Sequence, residues 1–145
     1  MTEDPETADL ANRMHSAAIH LLRHVAEVDA SSGLSPARLS ALSVVVYGGP
    51  LTMTELAAAE RVSPATITST VSGLEASGLV RRLRESADAR RVTVEATAAG
   101  RELMADSRRR RIAVLEAALS GLSPAEREAL TVATAATERI LRPPC

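Results

Sequence analysis

Residues 63–97 read SPATITSTVSGLEASGLVRRLRESADARRVTVEAT, and this stretch decides the fold. Ser63 before Pro64 is a helix start, because a serine hydroxyl caps an orphan backbone N–H and proline suits the first helical position. Ile67, Val71 and Leu74 follow at i, i+4 and i+7, the spacing of one buried helix face. Gly78 takes the place just past the end, where a left-handed backbone is favoured. Two strands are predicted next, Leu79 to Arg84 and Val92 to Ala96, the second alternating Val92, Val94 and Ala96 with Thr93 and Glu95. The polar segment Glu85 to Arg91 joins them and ends in Asp88-Ala89-Arg90-Arg91. A helix followed by an arginine-tipped hairpin can meet a DNA duplex at two grooves.

Upstream, the chain is helical. A first helix is predicted over Thr7 to Asp29, with an apolar stripe through Leu10, Met14, Leu21, Val25 and Val28, and Ser31-Ser32-Gly33 stops it. Ser35 and Pro36 start a second, carrying Leu39, Leu42, Val45 and Val46 as far as Gly48-Gly49-Pro50. Leu51 can add a short strand. Thr52 or Thr54 caps a brief third helix to Glu60; Glu55 three residues after Thr52 has capping-box spacing, and Leu56, Ala57 and Ala58 form its inner face. Arg61-Val62 makes the turn into the helix at Ser63. Downstream, Thr97 caps a long helix to about Ser120, with Leu103, Ala113 or Val114, Leu115, Ala118 and Leu119 on its stripe. Leu122-Ser123-Pro124 starts a last helix, which Pro143-Pro144 ends.

The fold class is therefore mainly α with a small β-hairpin: a winged helix-turn-helix over 35–97, flanked by helical regions at 1–34 and 98–145. The outer stripes are too apolar to be solvated spacers, and the simplest cover for them is a second copy of the chain.

Composition fits this reading and excludes others. The chain has 145 residues, 46% of them apolar, enough for one domain with a core. Net charge is −1, but the segment from Arg61 to Arg91 holds six arginines against Glu75, Glu85 and Asp88. There is no Phe or Trp, and Tyr47 is the one aromatic residue, so Leu, Val, Ile, Ala and Met must fill the core. No apolar run is long enough to span a membrane, and no signal-peptide pattern opens the chain; a cytoplasmic location is expected. Cys145, the single cysteine, can make no internal disulfide, and a thiol sensor at that terminal position is disfavoured. Catalysis would need converging nucleophiles, acids or bases, yet His15, His20 and His24 all lie on one helix and no nucleophile motif occurs, so an enzyme is not expected. His20, His24 and Glu27 have the spacing of a metal site but no fourth ligand; neither metal nor cofactor is expected. Arg108 to Arg111 cannot share one helix face and read as charged side chains that cover the helix and pair with acids, with a second DNA site as the alternative.

The chain resembles the MarR family of bacterial transcriptional regulators. The resemblance rests on Leu39-Ser40-Ala41-Leu42 after Leu-Ser-Pro, and on Thr54-Glu55-Leu56-Ala57 with Val62-Ser63 and Thr66-Ile67-Thr68. It continues through Leu74-Glu75, Gly78-Leu79-Val80, the wing motif Asp88-Ala89-Arg90-Arg91, and Thr97-Ala98-Ala99-Gly100. It implies a homodimer joined through the terminal helices, with Leu10, Met14, Leu115, Leu119, Leu130, Ile140 and Leu141 as dimerisation residues. It also implies a repressor on a pseudo-palindromic operator in double-stranded DNA, released by a small, often aromatic, anionic effector bound between the terminal helices and the winged region. His15, Arg38 and Tyr47 are pocket candidates by position.

The residues themselves suggest how DNA would be met. Ser63, Ala65, Thr66, Ser69 and Ser72 lie off the buried stripe of the recognition helix, and Ala65, Thr66 and Ser69 are the candidates to face bases. Thr54 and Ser63, at helix starts, can present backbone N–H groups to phosphates. In the family the wing arginine, here Arg90, enters the minor groove; Asp88 can hold it extended, and Arg81, Arg82, Arg84 and Arg91 are expected to divide between phosphates and hairpin packing. Members commonly carry an arginine on the exposed face of this helix, but here no Arg or Lys stands between Val62 and Val80. That removes bidentate guanine readout from the helix. A winged helix serving only protein binding is the alternative.

Overall fold

The computed structural model describes residues 4–85 and 88–141, and the side chains of 85–91 lie outside the description. In chain order the elements are α1 (Pro5–Asp29), a 3-10 turn (Ala30–Ser32), α2 (Pro36–Gly48), β1 (Leu51–Thr52), α3 (Met53–Glu60), α4 (Pro64–Ala76), β2 (Val80–Glu85), β3 (Asp88–Ala96), α5 (Ala98–Ser120) and α6 (Pro124–Leu141). The fold is the expected winged helix-turn-helix with flanking helices.

Local chemistry sets the helix starts. Asp4 caps α1: its carboxylate accepts from the Thr7 hydroxyl at 2.7 Å and the Glu6 N–H at 3.2 Å, and these bonds hold it below the usual carboxylate range. The helix therefore starts at Pro5, two residues before the sequence expectation. Ser35 caps α2 by accepting from the Arg38 N–H at 3.3 Å. Thr52, not Thr54, caps α3, and Glu55 completes the box by accepting from the Thr52 N–H at 2.8 Å. Ser63 caps α4, and Thr97 caps α5 by accepting from the Gly100 N–H at 3.1 Å.

The three strands form an antiparallel sheet in the order β1-β3-β2. Leu51 pairs with Val94, and Val80 with Ala96. The register runs regularly to Arg84↔Val92 and then jumps to Glu85↔Asp88. Three extra residues, 89–91, thus lie on β3 between two paired positions, as in an extended β-bulge. This corrects the expected seven-residue connection Glu85 to Arg91: the backbone from Asp88 onward already belongs to the strand.

The core is confined to the winged part and the start of α5. Ala41, Leu42 and Val45 of α2, Leu56 and Ala57 of α3, and Ile67, Val71 and Leu74 of α4 close on Leu79, Val80, Val94, Ala96 and Met104. Two expected inner faces shift. Ala58 is exposed, so α3 seals with buried Leu56 and Ala57, and half-buried Met53 packs beside them. On α5 the buried positions are Gly100, Met104 and Ser107, while Leu103 is half-buried. The cause is Gly100: a Cβ there would collide with the Leu79 carbonyl and stand 3.2 Å from Leu42 Cδ1, so the glycine side must face the core.

The chain divides into two compact units, Met1–Arg110 and Arg111–Cys145, with the boundary inside α5. In the second unit, Ser123 caps α6 and Glu126 returns the bond, accepting from the Ser123 hydroxyl at 2.7 Å and its N–H at 2.8 Å. Neither α1 nor α6 has a buried residue. Among the described residues no helix is long and apolar enough to cross a membrane. Cys145 and Pro143-Pro144 lie outside the described residues.

Candidate nucleic-acid interface

Helix α4 presents a clean division of faces. Ile67, Val71 and Leu74 are buried, while Ser63, Ala65, Thr66, Ser69 and Ser72 are exposed. Much of the local hydroxyl chemistry is already committed to the backbone. Thr68 donates to the Pro64 carbonyl at 2.8 Å and Thr70 to that of Thr66 at 3.0 Å. Ser63 and Thr66 share a hydroxyl–hydroxyl bond of 2.9 Å beside the capping bond from the Thr66 N–H. The expected base-facing residues Ala65, Thr66 and Ser69 therefore lie on one exposed ridge of small side chains.

One flank of the ridge is held by the hairpin. Arg82 of β2 donates to Glu75 Oε2 at 3.0 Å, to Ser72 Oγ at 2.9 Å and to the Thr68 carbonyl at 3.4 Å. Its own N–H reaches Glu75 Oε1 at 3.3 Å. A guanidinium from the sheet thus bridges three residues on the side of α4 and fixes the angle between helix and wing. Ser72 is engaged in this bridge, which gives it a second task beside the DNA contact expected from its place off the buried stripe. Arg81 pairs with Glu95 across the hairpin, so these two arginines hold the wing together. Arg84 is exposed nearer the tip, opposite Val92. The backbone of Asp88, Arg90 and Arg91 is placed in the bulged start of β3, and their side chains lie outside the description.

The turn between α3 and α4 is tight. Arg61 is the one non-glycine with positive φ among the described residues, at 55°, and its N–H and that of Val62 return to the Ala58 and Ala57 carbonyls at 3.2 and 3.1 Å. The Ser40 hydroxyl donates to Glu60 at 3.0 Å and ties α2 to α3. Thr54 is exposed in the first turn of α3.

The other candidates are distributed differently. Of the pocket set, His15 and Tyr47 are exposed, and Arg38 reaches across to α4, where its guanidinium covers Gly73. Of the dimerisation set, Leu10, Leu119, Leu130, Ile140 and Leu141 are exposed and Met14 and Leu115 half-buried. His20, His24 and Glu27 are exposed, and no metal-binding group of three is found among the described residues. The arginine run is split between partners: Arg109 pairs with Asp106, and Arg110 donates to Ser31 Oγ at 2.8 Å.

Sequence reasoning missed the Arg82 bridge and the seat of Arg38 on Gly73. The first had no local signal, since Glu75 and Arg82 are seven residues apart across a turn. The second had one: a glycine inside a helix asks for a packing reason.

Residues 32–91 match the model of the MarR family. An HTH-type transcriptional regulator of Mycobacterium tuberculosis is 34% identical over 123 residues, covering 85% of this chain and 86% of the relative. Among solved structures, a variant of MepR from S. aureus bound to an oligodeoxyribonucleotide superposes with a TM-score of 0.72 at 17% identity, covering 92% of this chain and 98% of that one. NadR in complex with 4-hydroxyphenylacetate gives 0.62 at 21% identity, covering 90% and 93%. At these identities the likeness to the two structures is one of fold.

Proposed function

The chain belongs to the MarR family of DNA-binding, non-enzymatic transcriptional regulators, and from that premise we propose that it works as a homodimeric repressor released by a small-molecule ligand. The observation that carries the DNA-binding half is the exposed ridge of α4, uncharged and made of small side chains, held at a fixed angle to the wing by Arg82. Ala65, Thr66 and Ser69 enter the major groove, where Ala and Thr touch thymine methyl groups and Ser and Thr bond base edges. Ser63 and Thr54 direct helix-start N–H groups to phosphates. Arg90 takes the minor groove, with Asp88, Arg84 and Arg91 at the wing around it. With no cation on the helix, sequence discrimination leans on methyl contacts, water bridges and duplex shape.

The repressor half has support of another kind. The exposed leucines and isoleucines of α1 and α6 suit a second copy, and MepR and NadR show one relative in fold with DNA and another with an aromatic acid. An effector acts by binding one spacing of the two recognition helices better than the other.

The test is binding to the DNA upstream of the chain's own gene against unrelated DNA, at two salt concentrations. The expected result is a specificity gap that survives moderate salt, and weaker binding by Arg90→Ala. Equal affinity for both DNAs, or none for either, points instead to a winged helix that binds protein.

A further inference from the structure

The recognition helix α4 carries no cation of its own, and a neighbouring helix brings one to it. Arg38 stands in the first turn of α2, and its side chain runs onto α4. A Cβ built on Gly73 would stand 2.5 Å from Cζ and 2.6 Å from Nε of Arg38, so the guanidinium fills the space that any side chain at 73 would need. Gly73 is not there for its backbone: the positive-φ glycines are Gly33, Gly49 and Gly78. A helix-weakening residue with ordinary geometry is explained by the notch it leaves.

The position of the notch matters. At roughly 100° per residue, Gly73 lies one turn beyond Ser69 and about 40° around the helix from it, beside the exposed ridge and away from Ile67. Arg82 occupies the opposite flank, over Ser72 and Glu75. Two guanidinium groups therefore border the ridge. That of Arg82 is neutralised by Glu75. Arg38 is exposed, and among the described residues no carboxylate pairs with it. An unneutralised cation seated on the flank of an uncharged helix, next to its small-residue ridge, has the placement of a backbone clamp.

We propose that Arg38, seated in the notch at Gly73, is a DNA contact that binds an operator phosphate beside the groove entered by α4. This rests on the DNA-binding reading above and adds to it a residue from outside the recognition helix and the wing. It also gives Gly73 a role in DNA affinity through room alone. A phosphate neutralised by Arg38 contributes about 0.9 to the log–log salt slope.

The experiment compares wild type, Arg38→Ala, Arg38→Lys and Gly73→Ala on the upstream DNA across a salt series, with thermal melting of each. Arg38→Ala is expected to lose about tenfold in affinity, the scale of one charge-assisted hydrogen bond, and to lower the salt slope by about 0.9. Gly73→Ala is expected to reproduce both effects, because the new Cβ evicts the guanidinium, while its melting temperature holds or rises because alanine is the better helix former. Arg38→Lys keeps the charge and most of the slope. Wild-type slopes in Arg38→Ala and Gly73→Ala overturn the proposal. So does a loss of affinity in Arg38→Ala with an unchanged slope and a lower melting temperature, which makes the arginine a packing strut. If Arg90→Ala weakens binding and these variants do not, the DNA-binding reading stands and this inference falls. If wild type itself does not prefer the upstream DNA, the failure belongs to the broader reading.

Discussion

Gly100 and Gly78 show how much of the winged unit hangs on single residues. Gly78 has φ 71°, and the next N–H, that of Leu79, closes onto the Leu74 carbonyl at 3.0 Å. The Thr97 N–H then donates to the Leu79 carbonyl at 3.0 Å, and the Thr97 hydroxyl donates to the Gly78 carbonyl at 2.6 Å. The end of α4 and the start of α5 are thus riveted at one corner, and Gly100 lies against that corner with no room for a Cβ. Gly100→Ala must move backbone rather than a flexible side chain. The expected cost is about 1–3 kcal/mol, the usual range for overpacking. Thermal unfolding should show it as a fall in Tm of several degrees; an unchanged Tm would mean that the corner is loose. Gly121→Ala is the matched control, since its nearest foreign atom would lie at 3.7 Å.

Helix starts were the most legible elements in the sequence, and the cap on α6 allows a sharp check. The Glu126 carboxylate lies below its usual range, first because the Ser123 hydroxyl donates to it and then because the Ser123 N–H does. A depressed folded value means the cap stabilises α6 fully above the unfolded pKa and is lost as pH falls through the folded one. An NMR titration of the Glu126 carboxyl should therefore give a low pKa in wild type and one nearer the ordinary value in Ser123→Ala. Identical titrations in the two proteins would show that the reciprocal bond does not form in solution. The starts at Ser35, Ser63 and Ser123 could be read, and that of α3 narrowed to Thr52 or Thr54, because a cap is local chemistry, written within four residues. What could not be read was long-range. The buried face of α5 turns to Met104 because Gly100 must meet Leu79, and nothing in the helix's own period says so. The length of β3 escaped because a bulge is a matter of register with β2. For the site, the ridge Ala65, Thr66 and Ser69 followed from periodicity, whereas Arg82 and Arg38 reach α4 from other elements.

At the scale of the whole chain, the distribution of burial is the main argument for a second copy. Every buried hydrophobic residue among those described falls between Ala41 and Met104, while α1 and α6 bury none. A terminal helix with Leu130 at 43% exposure and Leu141 at 70% leaves apolar surface in water that a partner helix would remove, at about 25 cal/mol per Å². Because neither leucine packs in the chain's own core, charging them tests association without emptying that core. Leu130→Glu with Leu141→Glu is expected to leave the far-UV circular dichroism unchanged and to turn a dimer into a monomer by sedimentation. DNA affinity should fall with it, by roughly 10² or more. Two linked winged units hold two half-sites through a high effective concentration, and a lone unit cannot. If the doubly charged chain stays dimeric and keeps its affinity, the assembly uses another face. If wild type sediments as a monomer while retaining specific binding, one ridge and one wing suffice, and the half-site arrangement falls.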